Sequence, residues 1–115
     1  MPSATALVQE KVVQDKIFQA LADPSRRAIF ESLTRGEVAV KDLTARFHIS
    51  QPAVSQHLAN LKEAGLVKAR REGRCVYYGV QPRGIRPLID WIAHYRVFWT
   101  EHVDRLEQLL EKIDQ

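Results

Sequence analysis

Hydrophobic positions change period along this chain, and each change marks a new kind of element. From Gln9 to Leu21, the apolar residues Val12, Val13, Ile17, Ala20 and Leu21 fall on one helical stripe. They predict a helix over about residues 6–21, after a loose start from Met1 to about Thr5. Asp23 then offers a short carboxylate suited to an N-cap, and Pro24 occupies the first helical position, where a missing N–H costs nothing. Ile29, Phe30 and Leu33 give this second helix a buried face, and Gly36 is a natural C-terminal stop. Val40, Leu43 and Phe47, at i, i+3 and i+7, predict a third, short helix. His48-Ile49-Ser50 reads as a tight break. Ser50 caps a fourth helix that runs to about Ala64 and stops at Gly65, with Pro52 tolerated in its first turn. Ile49, just ahead of the cap, can pack on Val54 as a hydrophobic staple. Two helices joined by so short a turn, over about 40–64, form a helix-turn-helix.

After Gly65 the period falls to 2. Leu66 to Arg71 and Arg74 to Val80 are β-prone runs around Glu72-Gly73, which predicts a hairpin over about 66–80. Pro82, Gly84 and Pro87 punctuate the chain, and a long helix is expected from about Arg86 to Ile113. The expected fold class is mainly α with a small β-hairpin: one winged helix-turn-helix domain over residues 1–115, in dimeric form.

The fourth helix has a core face and a reading face. Val54, Leu58 and Leu61 must turn inward, which leaves Gln51, Ala53, Ser55, Gln56 and Asn60 on the outer face and the N-terminal end. Gln can bond the N6/N7 edge of adenine bidentately, Ser can bond phosphate or base, and Ala53 can touch a thymine methyl. The helix N-terminus, entered at Ser50, also favours a phosphate. His57 sits on the flank, open to either a phosphate contact or a structural hydrogen bond. Arg70, Arg71 and Arg74 at the hairpin tip can enter a minor groove or clamp phosphates.

The last helix carries more apolar surface than one small core can use. Ile85, Ile92, Trp99, Leu106 and Ile113 are spaced by seven, and Leu88, Tyr95 and Leu109 occupy the intermediate seam position. Ile89, Trp91, Phe98, Val103 and Leu110 widen the stripe. A homodimer is therefore expected, through helices of about 6–21 and 86–113, with Ile17, Ile92, Tyr95, Trp99, Leu106 and Leu109 as interface candidates. Two-fold symmetry would set two reading helices about one DNA turn apart on a palindromic operator.

Composition narrows the class. A chain of 115 residues with 45% hydrophobic content supports one modest core and little room for a deep substrate cleft. The formal charge of +3 is unevenly placed: Lys41 to Arg86 holds nine Lys/Arg against three Asp/Glu, whereas Glu101 to the end holds five acids against two bases. A basic middle and an acidic tail suit a polyanion met by one part of the chain. The single cysteine, Cys75, allows no intrachain disulfide, and no apolar run is long enough for a signal or a span, so a cytoplasmic protein without membrane contact is expected. No acid/base pair, nucleophile pair or phosphate loop supports an enzyme.

Asp23-Pro24-Ser25-Arg26-Arg27, Ser50-Gln51-Pro52-Ala53-Val54-Ser55-Gln56-His57-Leu58 and Lys62-Glu63-Ala64-Gly65-Leu66-Val67 resemble the ArsR family of bacterial repressors over nearly the whole chain. The resemblance implies a dimer of winged helix domains, with first and last helices at the interface, that blocks transcription until an inducer releases it. It carries the DNA-reading positions onto Gln51, Ala53, Ser55, Gln56 and His57, and the wing onto Arg70 to Arg74. The thiolate motif of metal-sensing members, Leu-Cys-Val-Cys-Asp-Leu, falls here on Val38-Ala39-Val40-Lys41-Asp42-Leu43, where Ala39 and Lys41 cannot ligate. The family's other site would need ligands where Ile92, Val103 and Leu106 follow Asp90. The chain thus resembles the metal-independent branch, whose members often act as autorepressors or answer to other signals.

The expectation is a sequence-specific repressor of double-stranded operator DNA, with no metal or cofactor and an inducer the sequence does not name. Two alternatives stand beside it. One is a winged helix used only for protein interaction. The other is a repressor sensing metal through a non-standard set such as Asp90 and His94 with His102 or Glu101, with Cys75 a lone thiol in a strand.

Overall fold

The computed structural model describes residues 3–114. Helix α1 (Ala4–Ala22) starts earlier than its apolar stripe suggests, because the Ser3 hydroxyl accepts the Ala6 N–H at 3.1 Å and caps it. Ala4 and Thr5, expected in a loose start, are therefore helical, and Met1 and Pro2 lie outside the described residues. Helix α2 (Pro24–Leu33) begins as expected, with the Asp23 carboxylate accepting the Arg26 N–H at 2.9 Å. The arginines beside that cap close the other side of the joint. Arg27 donates to the Leu21 carbonyl at 2.7 Å, and Arg26 reaches the Gln19 and Ala20 carbonyls at 3.5 Å. Three carbonyls at the end of α1 and the Arg26 and Arg27 N–H groups at the start of α2 thus find partners within one five-residue segment.

Gly36, at φ 142°, turns the chain into a two-residue strand β1 (Val38–Ala39) that the sequence pattern did not suggest. Helix α3 (Val40–Phe47) ends on His48, whose φ of 54° makes the sharp turn, and Ser50 caps helix α4 (Gln51–Glu63) by accepting the Ala53 N–H at 3.2 Å. The hairpin consists of β2 (Val67–Glu72) and β3 (Cys75–Val80). Glu72 pairs with Cys75, so the turn is Gly73-Arg74 rather than Glu72-Gly73, and Gly73 supplies its φ of 61°. β1 pairs antiparallel with β3, Val38 opposite Tyr78, which gives the sheet order β1-β3-β2.

The long C-terminal helix expected from Arg86 is two helices. α5 (Pro82–His94) starts a turn earlier, with Pro82 in its first turn and Pro87 inside it; α6 (Arg96–Ile113) follows a break at Tyr95. No glycine or proline stands at the break. The rings of Trp91, Tyr95 and Trp99 gather around it, with Trp91 5.2 Å from Tyr95 and 6.3 Å from Trp99.

The core forms around α4. Val54, Leu58 and Leu61 meet Ile17 and Ala20 of α1, Ile29 and Leu33 of α2, Leu43 of α3, and Leu66 and Val67 ahead of the wing. Burying each such Leu or Ile contributes roughly 1.5–3 kcal/mol, which holds the backbone of α4 while its other face stays in solvent. Ile17, expected at a dimer interface, is 1% exposed within this core and offers no surface to a partner. Its stripe neighbours Val12 and Val13 remain outside, about half exposed.

The chain is not compact at its C-terminal end. Its radius of gyration is 18.0 Å, against about 13 Å for a compact domain of this length. Helix α6, with no buried residue, accounts for the reach.

Candidate nucleic-acid interface

The cap, the core stripe and the turn at His48 together decide which way α4 faces. With Val54, Leu58 and Leu61 fully buried, Gln51, Ser55 and Gln56 stand exposed and Ala53 half-buried. Ser50 is exposed, but its hydroxyl oxygen already accepts the Ala53 N–H and serves the cap.

The expected reading set does not all share one surface. Gln51, Ser55 and Arg74 line one cleft of about 290 Å³ between α4, the start of α3 and the wing. Asn60 instead lies toward α1 and α2, in a pocket with Lys16, Gln19 and Arg26. His57 is half-buried with its Nδ1 enclosed and unpartnered among the described residues, close enough to Asp23 to favour that carboxylate's charge. The structural hydrogen bond left open for His57 is thus not made by Nδ1 among the described residues, although the ring lies near the cap of α2. The Arg26 N–H bond, more than His57, holds Asp23 below the usual carboxylate range.

The wing arginines also divide. Arg70 is not a free cation: it pairs with Glu37 at 2.9 Å and Glu72 at 2.7 Å, and lies 4.8 Å over the Tyr77 ring. Glu37 is held below its ordinary range by this hydrogen-bonded guanidinium, and Arg70 is raised in turn. Arg70 therefore ties the wing to the segment before β1. Among the described residues, Arg71 and Arg74 have no such carboxylate partner and remain exposed. Lys41, absent from the expected reading set, joins Arg74 in the cleft. Its position in the basic middle of the chain was the available signal.

A second surface is apolar. Val8, Val12 and Phe18 of α1, Ile89 and Ile92 of α5, and a run from Val97 to Ile113 of α6 are all more than a third exposed. Trp91 joins the α1 and α6 parts, with its ring 5.3 Å from Phe18. Of the interface candidates, Ile92, Tyr95, Trp99, Leu106 and Leu109 lie on this surface, and Ile17 does not.

Among the described residues, the candidate metal ligands are not gathered. Asp90 bonds Arg86 at 3.0 Å, and the His102 ring stacks on Phe98 with Nδ1 2.9 Å from the Phe98 carbonyl. Among the described residues no three His, Cys, Asp or Glu side chains cluster, and no helix is long and apolar enough to cross a membrane.

Comparison with known proteins places this arrangement. Residues 23–69 match the family described as "Bacterial regulatory protein, arsR family". The chain is 32% identical to the transcriptional repressor SdpR of Bacillus subtilis over 81 residues, which is 70% of this chain and 90% of that one. It is 41% identical to the HTH-type transcriptional regulator Rv2034 of Mycobacterium tuberculosis over 97 residues, 84% of this chain and 88% of the relative. Among solved structures, the crystal structure of an ArsR family transcriptional regulator superposes with a TM-score of 0.69 at 29% identity, covering 78% of this chain and 93% of that one.

Proposed function

This chain belongs to the arsR family of bacterial regulatory proteins, and from that premise we propose that it represses transcription in the cytoplasm as a homodimer on a palindromic operator. Its family consists of transcription regulators rather than enzymes, and DNA binding is the shared activity. The observation that carries the finer reading is the outward face of α4. Gln51, Ser55 and Gln56 are exposed on a helix anchored by three fully buried residues, beside a wing with two arginines that have no carboxylate partner among the described residues. Such a helix enters a major groove with amide groups that discriminate base edges, while Arg71 and Arg74 hold phosphates or a minor groove.

The apolar surface of α1, α5 and α6 supports the second half of the reading. An exposed face of that extent is what a permanent partner covers, and a two-fold axis through it sets the two α4 helices on one side of the duplex. No metal enters this reading. Ala39 and Lys41 cannot bind one, and Asp90 is paired with Arg86.

The test compares a duplex from the chain's own upstream region with a random duplex over a salt series. A steep, salt-dependent affinity for both, with a specific excess for the first, is expected. Gln56→Ala should weaken specific binding by about 1–3 kcal/mol and leave nonspecific binding nearly unchanged. Equal losses on both duplexes would remove the base-reading role of α4.

A further inference from the structure

The wing is a two-stranded ribbon with little to hold its angle. β1 supports β3 only at Val38–Tyr78 and Ala39–Tyr77, and among the described residues no strand flanks the outer edge of β2. A hairpin on its own is marginal in water, and two-stranded ribbons twist readily. Yet Arg71 and Arg74, without a carboxylate partner among the described residues, sit near its tip. One side chain spans this sheet. Continuing the β1–β3 register by one residue sets Glu37 opposite Gly79, and the β2–β3 ladder sets Tyr77 opposite Arg70. Side chains alternate across a strand, so these positions share one face. Gly79 leaves that face bare: a Cβ added there would stand 3.1 Å from the Glu37 Cγ. The Glu37 stem lies in this gap and crosses β3 to reach β2. There the Arg70 Nε donates to its carboxylate at 3.0 Å and Nη2 stands 2.9 Å away, while Nη1 meets Glu72 at 2.7 Å. The near end is fixed as well, because Val38 and Ala39, next in the chain, are buried.

The charges of this contact do not attract DNA. Two carboxylates around one guanidinium leave one negative charge in excess, which Lys68, near enough to favour the Glu37 charge, at most cancels. Any help such a group gives to binding a polyanion comes through geometry. We propose that Glu37 is a positioning residue for DNA binding: by strapping β2 to the segment ahead of β1, it fixes the angle of the wing and so the place of Arg71 and Arg74 against the duplex. This assignment rests on the DNA-binding reading above and adds to it an acidic residue that acts through Arg70.

Two variants separate charge from reach. Glu37→Ala removes an acid from the DNA-facing wing, so electrostatics alone predicts tighter binding. Glu37→Asp keeps the acid but is one methylene too short to span β3, so electrostatics alone predicts no change. Positioning predicts weaker binding in both, on operator and random duplexes alike. The slope of log affinity against log salt should become shallower by about 0.9 for each wing arginine that loses its phosphate. An exposed ion pair contributes little to stability, so both variants should melt as the parent does. In the free protein, hydrogen exchange at the backbone amides of residues 67–80 should quicken in both variants, while α4 keeps its parental rates. Tighter binding by Glu37→Ala with parental binding by Glu37→Asp overturns the proposal and leaves the DNA-binding reading intact. Wing exchange equal to the parent's does the same. A steeper salt slope in Glu37→Ala would make the released Arg70 a phosphate contact itself and overturn the strap as well. Absence of any salt-dependent duplex binding by the parent protein would instead overturn the reading beneath it.

Discussion

Leu106 on α6 is the sharpest place to test whether the apolar surface is an interface. It is 56% exposed, so about half of its side chain is free to be buried by a partner. Replacing it with Ala removes three carbons, and at about 0.8 kcal/mol per buried carbon, halved for partial burial, the loss is about 1.2 kcal/mol per side chain. A two-fold dimer contains two copies, which makes about 2.4 kcal/mol, or roughly a 60-fold rise in the dimer dissociation constant. Sedimentation equilibrium over a wide range of concentration reads that constant directly. The folded monomer should not suffer, because Leu106 contributes nothing to the core, so the helical signal by circular dichroism should stay unchanged. A parent protein that remains monomeric at high concentration would refute the dimer. A parental dimer whose constant does not respond to Leu106→Ala would place the interface elsewhere than on α6.

Other outcomes follow from single contacts. Gly84→Ala should lower stability by about 1–3 kcal/mol or more, because a Cβ there would overlap the Gly65 carbonyl where α5 begins; a thermal melt equal to the parent's would contradict that close approach. The Asp23 carboxyl titrates below its ordinary value in the folded chain, so its contribution is present above the unfolded carboxylate pKa, about 4, and fades as pH falls through the lower folded value. Asp23→Asn keeps an acceptor at the cap but cannot titrate, so its denaturation midpoint should change less than the parent's between pH 5 and 3; parallel curves would dismiss the linkage. Stoichiometric Zn²⁺ should leave operator affinity unchanged, and metal-dependent release from DNA at low micromolar concentration would establish a ligand set that the arrangement of Asp90, His94 and His102 does not suggest.

How much of the molecule was legible beforehand depended on the range of the interactions involved. Helices α2, α3 and α4, their caps at Asp23 and Ser50, and the inward stripe of Val54, Leu58 and Leu61 were all readable. Each is decided within one helical turn by propensity, capping and the 3.6-residue period. The same local logic located the hairpin, missing only its turn by one residue. From those elements alone, a reading helix beside a basic wing could be inferred.

Contacts between distant parts of the chain decided the rest. Two residues are too short to show a strand period, so β1 exists only because β3 offers it a ladder. Gly84 and Pro87 looked like breakers, yet they sit inside α5, since Gly84 lets that helix start against the Gly65 backbone. Ile17 and Val12 belong to one apolar stripe, and only packing sent the first into the core and left the second outside. Arg70, Arg71 and Arg74 are equivalent as letters. The carboxylate of Glu37, 33 residues away, claims Arg70 and leaves the other two without a carboxylate partner among the described residues. Sequence periodicity determines which side chains are apolar on one face, whereas the surface that face meets, and the charge that neutralises a given cation, are settled only when remote segments come together.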